Sequence, residues 1–200
     1  QILPKGERVK KILKKLWLLA TMFLLLFVSA CSANDADDYY DAFSRSNAME
    51  VVAENLIIPW SIVKDNEVFY VTEREGTIAK IENGKVERQK LELKKKLATV
   101  SEAGFLGLVL APDFAQSMKA YAYYTYKDES GQFNRIVTLR LDNKSWKEED
   151  LLLDKIPSGT RHHGGRLHIG PDGKLYATTG DASVEQLSQD LSSLGGKILR

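Results

Sequence analysis

Cysteine is almost absent from this 200-residue chain: Cys31 stands alone, which excludes an internal disulfide framework and a cysteine-built zinc site. Histidine is nearly as scarce, so imidazole chemistry has to come from His162, His163 or His168. Charge of one sign is missing as well. Lys and Arg number 28 against 27 Asp and Glu, and this balance leaves no field that would gather nucleic acid, so no nucleic-acid partner is expected. Long apolar stretches are confined to one place near the start. What remains, with 44% hydrophobic residues, is enough to bury one core and too short for several ordinary domains.

Lys5, Arg8, Lys10, Lys11, Lys14 and Lys15 precede the apolar run Leu16 to Val28, the order of an export signal. The run is shorter than the ~20 apolar residues that a membrane helix needs, which favours processing over a retained anchor. It ends in Val28-Ser29-Ala30-Cys31, small residues before a lone cysteine, as in a bacterial lipobox. Residues 1–30 are therefore expected to be a lipoprotein signal peptide, with lipidation at Cys31. The mature protein would then be extracytoplasmic and held to the cell membrane by its lipid. Residues 31–49 carry Asp35, Asp37, Asp38 and Asp41 and few large aliphatics, the composition of a flexible tether.

From residue 50 onward, short alternating apolar stretches are broken by Asn-Gly, Asp-Gly and Asp-Asn, which predicts strands joined by tight turns and an all-β fold. Tyr70-Val71-Thr72, Tyr123-Tyr124-Thr125 and Tyr176-Ala177-Thr178 recur at equal spacing, each with an apolar strand and an Asp-containing turn before it and another strand after it. A repeat near fifty residues suits one blade of a β-propeller, because a blade covers its faces only by stacking on neighbours. A β-sandwich shares the turn pattern, but three copies in the same surroundings weigh against it. Strands are predicted at Trp60–Val63, Val68–Thr72, Thr77–Ile81, Gly107–Leu110, Ala120–Tyr126, Arg135–Leu141, Arg166–Ile169 and Leu175–Thr179. The Tyr-x-Thr strands are taken as the inner ones. Asp128 to Gly131 and Lys147 to Asp150 are taken as loops between blades, and Lys90 to Lys96 as an exposed strand or solvated edge. Residues 50–200 would make two blades and begin a third, an incomplete propeller from a longer reading frame.

Loops entering inner strands gather around a propeller's channel, so chemistry is sought there. Ser101 to Gly107 offers Glu102 as a polar handle among small residues, and Arg161 to Arg166 offers two histidines and Arg166. A histidine beside a substrate hydroxyl can take its proton, and a nearby carboxylate can fix its tautomer. Asp181, after the next strand, is a candidate for that carboxylate. The bland alternative is that His162 or His163 only caps a turn, and these residues leave the two open. His168 alternates with Leu167 and Ile169 and is expected to be a packed strand residue. A metal site on the paired histidines lacks a third ligand at a recognised spacing, so no metal ligand is assigned. Gly195-Gly196-Lys197 lacks the rest of a phosphate loop.

Several motifs in order resemble the soluble quinoprotein glucose dehydrogenases and aldose sugar dehydrogenases, six-bladed propellers that use pyrroloquinoline quinone. They are Glu102 to Gly107 with Pro112-Asp113-Phe114, His162 to Leu167, Ile169 to Tyr176, Thr179-Gly180-Asp181, and Gly196 to Arg200. The resemblance implies oxidation of an aldose sugar at C1 to a lactone, with His162 as general base, Asp181 supporting it, and Glu102, Arg166 and Gln186 at substrate or cofactor. Glu102 stands where the glucose enzymes place a glutamine, which looks closer to the aldose dehydrogenase branch. The resemblance also implies calcium and an electron acceptor that these residues do not identify. Most quinone and calcium ligands are expected beyond Arg200, so the 200 residues alone should be inactive. The competing classes are a calcium-dependent propeller lactonase and a non-catalytic extracytoplasmic binding propeller.

Overall fold

The computed structural model describes residues 49–200; the expected signal peptide, Cys31 and the expected tether lie outside the described residues, save for residue 49. Four strands follow one another as antiparallel neighbours: β1 (Pro59–Asp65), β2 (Val68–Glu73), β3 (Thr77–Glu82) and β4 (Lys85–Glu92). The same order repeats in β5 (Phe105–Leu110), β6 (Lys119–Asp128), β7 (Gly131–Asp142) and β8 (Ser145–Pro157). A third unit has β9 (Gly164–Ile169), β10 (Leu175–Thr179) and β11 (Ile198–Leu199). The turns are those that residue chemistry dictates. Asn83 and Gly84 both take positive φ between β3 and β4, the backbone that a two-residue hairpin requires and that Asn-Gly supplies at least cost.

The units stack as propeller blades. β5 packs against β1 on one side and β9 on the other, so the first strand of each unit is the innermost. This corrects the expectation about the Tyr-x-Thr repeats, which form the second strands β2, β6 and β10. At the opposite edge β4 and β8 pair in parallel over Lys90–Glu92 and Ser145–Lys147, joining two blades into one eight-stranded sheet. Between these blades Tyr70, Phe114 and Trp146 pack ring against ring, and the Trp146 indole N–H donates to Gln89 at 2.8 Å. Phe105, Leu106 and Leu108 of β5 are fully buried; each such side chain contributes roughly 1.5–3 kcal/mol.

Three further expectations are corrected. Lys147 to Asp150 is not an inter-blade loop but the middle of β8, because Glu148 is buried against blade partners rather than solvated. Its carboxylate accepts the Tyr124 hydroxyl at 2.8 Å and lies 3.8 Å from Arg135, whose guanidinium is also 3.7 Å from Asp154. Asp128 to Gly131 is the tight turn between β6 and β7, inside a blade. Lys90 to Glu92 end β4 with both charged side chains exposed, as the exposed-strand expectation had it. His168 is exposed on β9 rather than packed. Two single-turn helices, α1 (Phe114–Ser117) and α2 (Gln186–Gln189), also escaped the reading.

Each blade carries an irregularity at the same place. The register of the first strand slips by one residue between Pro59 and Ile62, between Phe105 and Gly107, and opposite Ala177 to Thr179. In the first and third blades the repeat threonine serves this bulge: Thr72 Oγ1 accepts from Ser61 N–H at 2.9 Å, and Thr178 Oγ1 from Arg166 N–H at 3.1 Å. A bulge bends its strand and re-aims the residues before it. Those residues are the loops ending at Trp60, Gly104 and Gly164.

Candidate functional site

The re-aimed loops meet in an open pocket of about 260 Å³ lined by Trp60, Glu102, Leu106, His162, His163, Gly164, Arg166 and Thr178. Three predicted site residues, Glu102, His162 and Arg166, thus share one pocket although they come from two blades.

His162 is the centre of the arrangement. It sits at φ +61°, a left-handed conformation that costs a non-glycine residue roughly 1–2 kcal/mol and persists only where neighbours impose it. Three neighbours do so. Its backbone N–H donates to Glu102 Oε2 at 2.9 Å, its ring Nδ1 lies 2.9 Å from Asp181 Oδ1, and its carbonyl rests against Gly180. A Cβ at Gly180 would stand 1.5 Å from that carbonyl oxygen, so only glycine lets β10 return so closely beneath the histidine. Asp181 follows directly, which places its carboxylate under the ring.

The ring stays open to solvent, with 59% of the side chain exposed against 23% for Asp181. The hydrogen bond from His162, helped by the Ser183 backbone N–H, holds the Asp181 carboxyl below its usual value. Asp181 is therefore ionised near neutral pH and accepts from Nδ1–H. That tautomer turns the Nε2 lone pair outward, and a lone pair facing a pocket can accept a proton.

His163, adjacent in sequence, is different in kind. It is buried, and its Nδ1 lies 3.1 Å from Ser158 Oγ and 3.3 Å from Asn134 Oδ1. Burial pushes its pKa below the ordinary histidine value, so it is neutral at pH 7. Its backbone carbonyl accepts the buried Tyr123 hydroxyl at 2.8 Å, which fastens the loop to the second blade. The alternatives left open by the sequence thus separate: His163 is the packed member of the pair and His162 the presented one.

Arg166 lies with its guanidinium carbon 4.0 Å from the Trp60 ring centre, and its Nη1 donates to the Trp60 carbonyl at 3.0 Å. Gln186 stands apart. It opens α2, is exposed, and is not among the residues lining the pocket. Trp60 is the pocket residue that sequence reasoning passed over. It precedes the bulge residue Ser61 in the first blade as Gly165 precedes Arg166 in the third, so aligning the repeats brings it to the same end of the strand. Among the described residues no three His, Cys, Asp or Glu side chains converge as a metal site.

The family described as Glucose / Sorbosone dehydrogenase matches residues 56–200. The aldose sugar dehydrogenase YliI of Escherichia coli is 30% identical over 160 residues, 76% of this chain and 43% of that protein. Quinoprotein glucose dehydrogenase B of Acinetobacter calcoaceticus is 29% identical over 193 residues, 90% of this chain and 40% of that protein. Among solved structures, the PQQ-bound aldose sugar dehydrogenase of Streptomyces coelicolor superposes with a TM-score of 0.68 at 35% identity, covering 76% of this chain and 46% of that one. The chain spans less than half the length of each.

Proposed function

The chain belongs to the glucose/sorbosone dehydrogenase family, and from that membership we propose that the full-length protein oxidises an aldose sugar at C1 to its lactone, using pyrroloquinoline quinone and His162 as general base. The observation that carries this reading is the His162–Asp181 hydrogen bond at 2.9 Å with the ring open to the pocket. The chemistry needs a base beside the C1 hydroxyl. Nε2 of His162 accepts that hydroxyl proton while the C1 hydrogen leaves with its electron pair, and the new C1 carbonyl completes the lactone. Asp181, held ionised, steadies the imidazolium that results. Glu102 keeps the histidine backbone in place from the next blade.

The quinone, when bound, supplies the two-electron acceptor that no side chain provides. The pocket's donor set fits an anionic planar group: Arg166 offers a guanidinium fixed on an aromatic face, which suits a carboxylate. Arg166 would hold the quinone and Glu102 would face the sugar. Calcium belongs to this reading through the family resemblance alone. The described residues gather no set of oxygen ligands for it, and no step is assigned to it.

In the full-length protein loaded with quinone, His162→Ala should lower sugar-dependent dye reduction by ~10² to 10⁴, the usual loss for a positioned base. Melting temperature and quinone uptake should hardly change. Near-normal turnover with earlier melting would overturn the assignment. We further propose that the protein is extracytoplasmic and anchored by acylation of Cys31. Labelled palmitate fed to the producing bacterium should enter the wild type and not Cys31→Ala; equal labelling would end that idea.

A further inference from the structure

Arg166 is the only Lys or Arg lining the pocket among the described residues, and no carboxylate among them pairs with it. Its position is nonetheless tightly fixed. The backbone N–H is bound to Thr178 Oγ1, one guanidinium nitrogen is bound to the Trp60 carbonyl, and one face lies on the Trp60 ring. Trp60 is fixed in turn, because it packs against the cluster that includes Leu106 and Tyr123. The contact joins β1 of the first blade to β9 of the third, across β5. A guanidinium carries five N–H donors, and only one is spent on the Trp60 carbonyl. The other donors make no hydrogen bond to a described residue, and the guanidinium lines the pocket that His162 also lines. A planar fork of this kind matches the two oxygens of a carboxylate, and holding it rigid beforehand reduces the ordering cost when the ligand arrives.

We propose that Trp60 is a positioning residue that holds Arg166 as the receiver of a ligand carboxylate. The inference rests on reading the pocket as a quinone and sugar site, and the carboxylate belongs either to the quinone or to an acidic sugar. Full-length protein carrying Trp60→Leu, Trp60→Phe or Arg166→Lys distinguishes these sources. Quinone affinity is read by equilibrium dialysis, and KM for glucose and glucuronate at saturating quinone.

Losing the aromatic face should weaken quinone binding roughly threefold to tenfold in Trp60→Leu, the scale of a partly exposed cation–π contact, with Trp60→Phe close to wild type. Arg166→Lys, which keeps the charge and loses the fork, should resemble Trp60→Leu. Glucose carries no carboxylate, so its KM is the reference against which the KM for glucuronate is read. A rise confined to the KM for glucuronate would assign the carboxylate to the substrate. Unchanged quinone affinity and unchanged glucuronate KM in Trp60→Leu would overturn the role of Trp60. Equal losses in Trp60→Phe and Trp60→Leu would overturn it too, leaving mere packing. A wild-type protein that bound no quinone would instead overturn the reading of the pocket itself, and this inference with it.

Discussion

Glu102 gives the sharpest test of how the pocket is built, because its role runs through the backbone of another residue. The perturbation is Glu102→Ala, which removes the acceptor of the His162 N–H at 2.9 Å without touching the ring or Asp181. Left-handed backbone at His162 costs roughly 1–2 kcal/mol, and the hydrogen bonds around it must offset that cost. Glu102 is exposed, so competition from water reduces its hydrogen bond to about 1 kcal/mol rather than the larger value of a buried charged acceptor. A loss of that size changes the equilibrium constant between placed and misplaced histidine about fivefold, which is the upper bound on the fall in the placed population. Turnover of the quinone-loaded full-length protein should therefore fall by up to about fivefold, with KM for sugar changing less and the melting temperature within about 2 °C of wild type. Glu102→Gln keeps a carbonyl oxygen at the same reach and should stay within about twofold. The His162 amide resonance should shift in the alanine variant and hardly move in the glutamine variant. Wild-type turnover in Glu102→Ala would refute the anchoring argument. A glutamine variant as slow as the alanine variant would refute it differently, by showing that the charge and not the acceptor matters.

Two other perturbations read the scaffold. Glu148→Leu leaves the buried Arg135 guanidinium with only the more exposed Asp154, and should cost near the lower end of the roughly 3–5 kcal/mol typical of a broken buried pair. Circular dichroism melting should then fall by about 6–12 °C; a shift under about 2 °C would contradict the account. His163 is held neutral by burial, so the unfolded chain binds its proton more readily than the folded one. Stability should therefore fall as pH drops below the unfolded histidine value of about 6.5, and His163→Gln should flatten that slope in urea unfolding between pH 7 and pH 5; an unchanged slope would discount His163.

Much of the fold was legible because blade strands repeat a local pattern. Tyr70, Tyr123 and Tyr176 recur at one spacing, and Asn83-Gly84 carries its own turn chemistry. What escaped was set by distant partners. Glu148 and Glu149 look like a solvated run, yet Glu148 is buried because Tyr124 and Arg135 lie opposite it on neighbouring strands. The order of strands within a blade escaped for the same reason: alternation says that a strand has two faces, and only stacking decides which strand is innermost.

The site shows the same division at finer scale. Two histidines side by side cannot be told apart by residue type, and the resemblance alone singled out His162. The structure separates them by backbone. A left-handed turn at His162 points successive side chains in divergent directions, so His163 goes down to Asn134 and Ser158 while His162 goes out over Asp181. That turn depends on Gly180, eighteen residues later, having no side chain to strike the His162 carbonyl, and on Glu102, sixty residues earlier, accepting its N–H. In the sequence Gly180 stood only as part of the motif Thr179-Gly180-Asp181, and Glu102 as a polar handle for ligand. Each acts first on His162, and the imidazole is presented to the pocket only where both constraints meet.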